Sequence, residues 1–169
     1  MFGNRINGFL GTASSFSGAS YGSFESSVQQ LNPDITKSNI ATFDLTSQSK
    51  GVSIISSSQI TYANSGIYLI NFLGQFAFVG GASNFNITVW YAINGTPIAN
   101  SSYTFTTTSA QNAQILANLE DIVTISAGQY LQIFWWAGTT GITLTPTAAA
   151  SNPTRPASPS ANFNTFRVG

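Results

Sequence analysis

The 169-residue sequence predicts an all-β protein, an antiparallel sandwich or barrel of about eight to ten short strands. Three observations carry this. β-Branched and aromatic residues dominate from residue 20 onward, while strong helix formers are scarce. Apolar residues alternate with a period of two rather than 3.6. Turn-forming clusters recur about every 8–12 residues, the spacing of sandwiches and barrels. No repeat of about 20–50 residues is present, which excludes a solenoid or a propeller.

The elements follow in order. Residues 1–19 have no sustained period, and their apolar content is confined to Phe2, Phe9-Leu10 and Phe16. They are read as an N-terminal arm preceding a domain at 20–169. Tyr21–Val28 and Ile40–Leu45 read as strands, separated by the turn signal Asn32-Pro33-Asp34. Lys50-Gly51 turns the chain into Val52–Ile55, Gln59–Tyr62 follows, and Asn64-Ser65-Gly66 turns again. Ile67–Val79 is the most informative strand. Tyr68, Ile70, Phe72, Phe76 and Phe78 share one face; Ile67, Leu69, Leu73, Ala77 and Val79 share the other with Asn71 and Gln75. Both faces are mainly apolar, so both are expected to be covered, the second most simply by another copy of the chain. Gly80-Gly81 ends this strand. Phe85–Ile93 alternates as a half-buried strand, and Asn94-Gly95 is a strong hairpin turn. The chain returns through Pro97-Ile98 and Tyr103–Phe105. Ala113–Ile125 is a long strand closed by Ser126-Ala127-Gly128, and Gln129–Trp136 is again apolar on both faces. Ile142–Thr145 is short, residues 151–159 read as an extended Pro-rich loop, and Ala161–Val168 is the last strand.

Composition excludes several classes of function. Cysteine and histidine are absent, so zinc sites built from them, thiol nucleophiles and imidazole bases are impossible. Charged residues are 6% of the chain and the formal net charge is zero. Five Lys and Arg spread over the chain do not make a nucleic-acid surface. Gly51 to Leu119 carries no charge, yet no apolar run nears the ~20 residues of a spanning helix. The apolar stretch after Arg5 is too short for a signal peptide, and three Asn-x-Ser/Thr sequences therefore read as ordinary strand and turn residues. Neighbouring Glu120 and Asp121 point to opposite faces of a strand and cannot act as a carboxylate pair. Nothing in the spacing of Glu25, Asp34 and Asp44 requires them to meet, and Gly80-Gly81 lacks the lysine and helix of a phosphate loop. No enzyme activity, cofactor or metal is expected; Asp121 reads as a solvated edge carboxylate rather than a Ca²⁺ ligand.

Four stretches in order carry a resemblance: Ile60–Tyr68 (ITYANSGIY), Val89–Thr96 (VWYAINGT), Leu119–Leu131 (LEDIVTISAGQYL) and Asn152–Pro159 (NPTRPASP) before the final strand. Together they resemble the TNF-like jelly roll of complement-type globular heads, in the version found in tailed-phage virion proteins. The resemblance spans about residues 20–168 and does not include the arm. It implies an antiparallel jelly-roll sandwich and a homotrimer, and, in phages, a capsid decoration (cement) protein or the tip of a fibre or appendage. Gln129 stands where the family often has an acidic residue, which argues against a calcium site of the kind some relatives carry.

The aromatics complete the expectation. Tyr68, Phe72, Phe76, Phe78, Trp90, Trp135 and Trp136 are candidate core or subunit-interface residues, since aromatics are enriched at both. The opposing reading makes an exposed Trp a platform for a sugar. Few charges and no net charge suit a chain held permanently in an assembly, kept wet by Ser, Thr, Asn and Gln. The leading expectation is a trimeric decoration protein on the outer surface of a phage capsid. It has no membrane or nucleic-acid partner, and its arm (Phe2, Arg5, Phe9, Phe16) docks on the major capsid protein or a neighbouring trimer. The alternative is a receptor- or glycan-binding tip module with specificity in loops 80–84, 106–112 and 137–141.

Overall fold

Alternating apolar residues commit this chain to strands, and the strands pair into two sheets that bury their apolar faces against each other. The computed structural model describes residues 19–78, 85–107 and 114–169. The arm anchors Phe2, Arg5, Phe9 and Phe16 lie outside the described residues, as do Val79, loop 80–84 and most of loop 106–112. Among the described residues there are sixteen strand segments, more than expected from sequence because five are two-residue pieces, and no helix.

The first sheet is built from β1 (Tyr21–Ser26), β2 (Gln30–Leu31), β4 (Leu45–Lys50), β7 (Gly66–Phe78), β11 (Gln114–Ile125), β13 (Ile142–Leu144) and β16 (Ala161–Arg167). Its order is β2-β13-β7-β16-β1-β4, with β11 on the other side of β7. The second comprises β3 (Asn39–Ile40), β5 (Val52–Ile55), β6 (Gln59–Tyr62), β8 (Phe85–Ile93), β9 (Thr96–Pro97), β10 (Tyr103–Thr107) and β12 (Tyr130–Ala137). Its order is β10-β8-β12-β6-β5, with β3 also on β12 and β9 on β8. A small hairpin of β14 (Ala150–Ser151) and β15 (Thr154–Arg155) stands apart. All pairings are antiparallel, and the architecture is a jelly-roll sandwich.

β7 is the spine of the first sheet. It pairs with β11 along twelve positions, from Gln114↔Ala77 to Ile125↔Gly66. Its other edge is shared end to end by β13 and β16. Tyr68, Ile70, Phe72, Phe76 and Phe78 all point inward and are buried. Gly74 falls on the same face because a Cβ there would sit 2.8–2.9 Å from the rings of Phe72 and Phe76. Opposite them the second sheet contributes Ile60, Tyr62, Ile87, Val89, Tyr91, Ile133 and Trp135, all buried. Each large apolar side chain so placed contributes roughly 1.5–3 kcal/mol. Two tyrosine hydroxyls cross the sandwich: Tyr62 donates to Thr165 Oγ1 at 3.2 Å and Tyr91 to the Leu119 carbonyl at 2.8 Å.

Three sequence expectations need correction. The strand expected over Ile40–Leu45 breaks after Ile40 and resumes at Leu45. Between them Thr42 pairs with a side chain: its N–H donates to Gln30 Oε1 and its carbonyl accepts from Gln30 Nε2, both at 2.9 Å. The strand expected over Tyr21–Val28 stops at Ser26, because Ser27 turns to donate its N–H to Asp44 Oδ1 at 2.7 Å. The Pro-rich stretch 151–159 is not simply an extended loop: Ser151 pairs with Thr154 around a cis Asn152-Pro153 bond.

Candidate functional site

Strand parity gives the sandwich two outer faces, and both carry apolar residues. On the first sheet, register aligns Ile122 of β11, Leu69 of β7, Phe166 of β16 and Tyr21 of β1 in one row across four strands. Ile122 is 63% exposed and Phe166 52%, with Ile67 and Val168 also exposed. This is a contiguous apolar band, not the scatter of single exposed residues usual on soluble surfaces. The next row is polar: Glu120, Asn71 and Asn164. Beyond it lie Asn118, Leu73 and Asn162, then Leu116, 61% exposed, beside Gln75. Asn71 donates to Asn118 Oδ1 at 2.7 Å and Asn164 to Asn162 Oδ1 at 2.6 Å, so these amides satisfy one another. Within a single chain the outer face of β7 is thus only half-covered.

The outer face of the second sheet differs. Trp90 and Phe134 are cross-strand partners with stacked rings, 5.7 Å between centroids and 14° between planes. Ile40 extends the row beyond Phe134. Trp136 is half-buried, and its Nε1–H donates to the Ile35 carbonyl at 2.7 Å. Trp90 also borders a shallow cavity of about 380 Å³ with Thr88, Pro97, Ile98 and Ser102.

The seven candidate aromatics therefore divide by location. Tyr68, Phe72, Phe76, Phe78 and Trp135 lie in the core, while Trp90 and Trp136 lie on the outer face of the second sheet. The sequence reading singled out neither Ile122 nor Phe166. Their signal was present in parity: Phe166 is three residues from buried Phe163, and in a strand odd spacing means opposite faces.

The carboxylates are held locally. Asp34 pairs with Lys37 at 3.3 Å in an exposed contact. Hydrogen bonds from the Thr36 hydroxyl and N–H, reinforced by Lys37, hold the Asp34 carboxyl below the usual carboxylate range. Burial acts to raise the Asp44 carboxyl, but hydrogen bonds from the Ser27 hydroxyl and N–H outweigh it and the net shift is downward. Among the described residues no three acidic side chains cluster as metal ligands, and no helix is long and apolar enough to cross a membrane.

No protein-family model matches the chain, and no curated protein matches it in sequence. Among solved structures, the globular domain of the zebrafish complement 1qA protein superposes with a TM-score of 0.57 at 14% identity. The match covers 89% of this chain and 98% of that one. The fold is a TNF-like jelly roll. At this identity the likeness establishes the architecture and nothing about binding or assembly.

Proposed function

We propose that this chain is a structural virion protein, a homotrimeric decoration (cement) protein on the outer surface of a tailed-phage capsid. The observation that carries the self-association is the apolar row Ile122–Leu69–Phe166–Tyr21, bordered by Lys50 beside Tyr21 and by Glu120 in the next row. Covering apolar area contributes about 2.5 kcal/mol per 100 Å², and a second copy supplies the same chemistry. The capsid location is supported by the four resembling stretches and by a composition suited to permanent assembly. The segment 1–19, with Phe2, Arg5, Phe9 and Phe16, reaches from the jelly roll to the major capsid protein. The chain acts by burying surface and performs no chemistry.

Two experiments test this. Sedimentation equilibrium of the native chain is expected to give a trimer, and Ile122→Asp with Phe166→Asp a folded monomer; a native monomer rejects the assembly. Antibody-gold labelling of intact particles from the source is expected to spread label evenly over the head. Label on the tail or at one vertex favours a second reading, an adhesion module. The stacked Trp90–Phe134 pair supports that reading, since such a pair beside an uncharged cavity suits a neutral sugar.

A further inference from the structure

The cavity beside Trp90 lies on the flank away from Phe134. β8 runs between β12 on one side and β9 and β10 on the other. Phe134 stacks on Trp90 from the β12 side. The other lining residues are Thr88 of β8, Pro97 of β9, and Ile98 and Ser102 from the chain between β9 and β10. Register sets this arrangement: Tyr103 pairs with Val89, so Ser102 falls beside Trp90 just where β10 begins. Phe134 thus holds the indole from behind, and the cleft opens in front of it. The opposite wall is also fixed. The Ile98 N–H donates to the Tyr91 carbonyl at 2.9 Å. Buried Ser101 accepts from the Tyr91 N–H at 3.1 Å, and its hydroxyl donates to the Ile98 carbonyl at 2.9 Å. A ligand therefore has little to reorganise, which favours binding.

We propose that this cleft binds a terminal galactoside, with the apolar side of the sugar ring against Trp90 and its hydroxyls meeting Thr88 and Ser102. The inference rests on the adhesion reading of the Trp90–Phe134 pair and names the sugar and the ring face it presents. The lining selects the class. Trp90, Pro97 and Ile98 supply apolar surface, and Thr88 and exposed Ser102 supply hydroxyls. Thr88 Oγ1 meets Thr104 Oγ1 at 3.0 Å, which leaves it a further hydrogen-bonding site. A few polar groups in an apolar concavity are the usual makings of a small-molecule site. All five lining residues fall between Gly51 and Leu119, which carry no charge, so an acidic sugar or a phosphate finds no cation there. The cleft offers a single aromatic platform. That suits a galacto-configured ring, whose axial 4-hydroxyl leaves the H3–H4–H5 side apolar and gathers the hydroxyls on the other. The row proposed for self-association lies on the other sheet, so each copy keeps its cleft open in the assembly.

The test is saturation-transfer NMR on the native full-length chain with methyl β-galactoside, methyl β-glucoside and indole as probes. The galactoside is expected to bind with a Kd on the order of 1 mM, as one small ring on an open cleft should. Saturation is expected to fall mainly on its H3, H4 and H5 protons, and the glucoside to bind about fivefold more weakly or less. Trp90→Leu removes the platform and is expected to weaken the galactoside about tenfold or more. Ser102→Trp fills the cleft from an exposed edge position without touching the core, and is expected to do the same. Unchanged circular dichroism shows that both variants are folded. Three results overturn the proposal: no galactoside binding at about 10 mM, equal binding of the glucoside, or galactoside binding that survives Ser102→Trp. Indole binding without galactoside binding shows an apolar slot instead and overturns it too. Sedimentation and particle labelling report the trimer and its location independently, so each reading can fail alone.

Discussion

Tyr62 and Trp135 are both wholly buried, both belong to the second sheet, and both meet an aromatic ring edge-on from the first. Their polar atoms fare differently. Each hydroxyl of Tyr62 and Tyr91 finds an acceptor on the opposite sheet. Around Trp135 the chain leaves the ladder at residues 41–44. Side-chain amides take over there: Gln30 stands in for a strand beside Thr42, and Asn32 donates to the Ala137 and Thr139 carbonyls at 3.0 and 2.8 Å. Regular pairing satisfies backbone groups wholesale and leaves side-chain hydroxyls free to tie the sheets. Irregular chain spends its polar side chains on the backbone and has none left for the indole, whose Nε1–H has no acceptor among the described residues.

The comparison is most readily broken at Asn32. Asn32→Ala removes three hydrogen bonds and strands the Ala137 and Thr139 carbonyls, so a loss of about 3 kcal/mol is expected in urea unfolding. A loss below about 1 kcal/mol means that water replaces the amide and that the irregular half is wet.

Tyr91→Phe tests the regular half and is expected to cost about 1–1.5 kcal/mol, the net worth of one buried hydrogen bond. The same half carries a pH dependence. Burial raises the pKa of both Tyr62 and Tyr91 above the ordinary phenol value of about 10. Folding therefore favours their protonated forms. Their contribution is full below pH ~10, erodes as pH climbs above it, and is lost as pH passes the raised folded values. Stability measured from pH 8 to 12 is expected to fall above 10, and the double variant Tyr62→Phe, Tyr91→Phe to fall less steeply.

Trp135→Phe is expected to have the smallest effect. It leaves a gap, but it keeps a ring against Phe76 and abolishes the unmet donor. The two terms oppose each other, so stability should stay within about 1 kcal/mol of the parent. A loss above about 3 kcal/mol shows that the indole N–H is bonded in solution.

What was legible in the sequence follows the same division. Gly66–Phe78 announced itself by alternation, and the Asn94-Gly95 hairpin by its turn residues, both of which adopt positive φ. Period-two reasoning works where each strand is paired backbone to backbone. It failed at 41–44 because an amide replacing a strand leaves no periodic trace: Gln30 and Asn32 look like any loop polar residues until their partners, 12 and 105 positions away, are placed. It also passed over the short pairing of Ser151 with Thr154, which proline masks. The candidate face was half legible. Parity places Ile122, Leu69 and Phe166 outward, but only the register across β11, β7 and β16 shows that they form one row.

The partnership of β1 with β16 has a consequence in time. Tyr21 pairs with Phe166, and β7 in turn needs β16 along Ala161–Arg167. The first sheet is therefore finished only once residues up to Arg167 have left the ribosome. Contacts spanning so much sequence make folding slow, on the order of milliseconds to seconds for such topologies. Until β16 docks, the nascent chain shows bare edges on β1 and β7 with Phe24 and Phe72 beside them. A cell making this protein in quantity must shelter that intermediate or keep it dilute, and chains ending before residue 161 are expected to collect as insoluble aggregates.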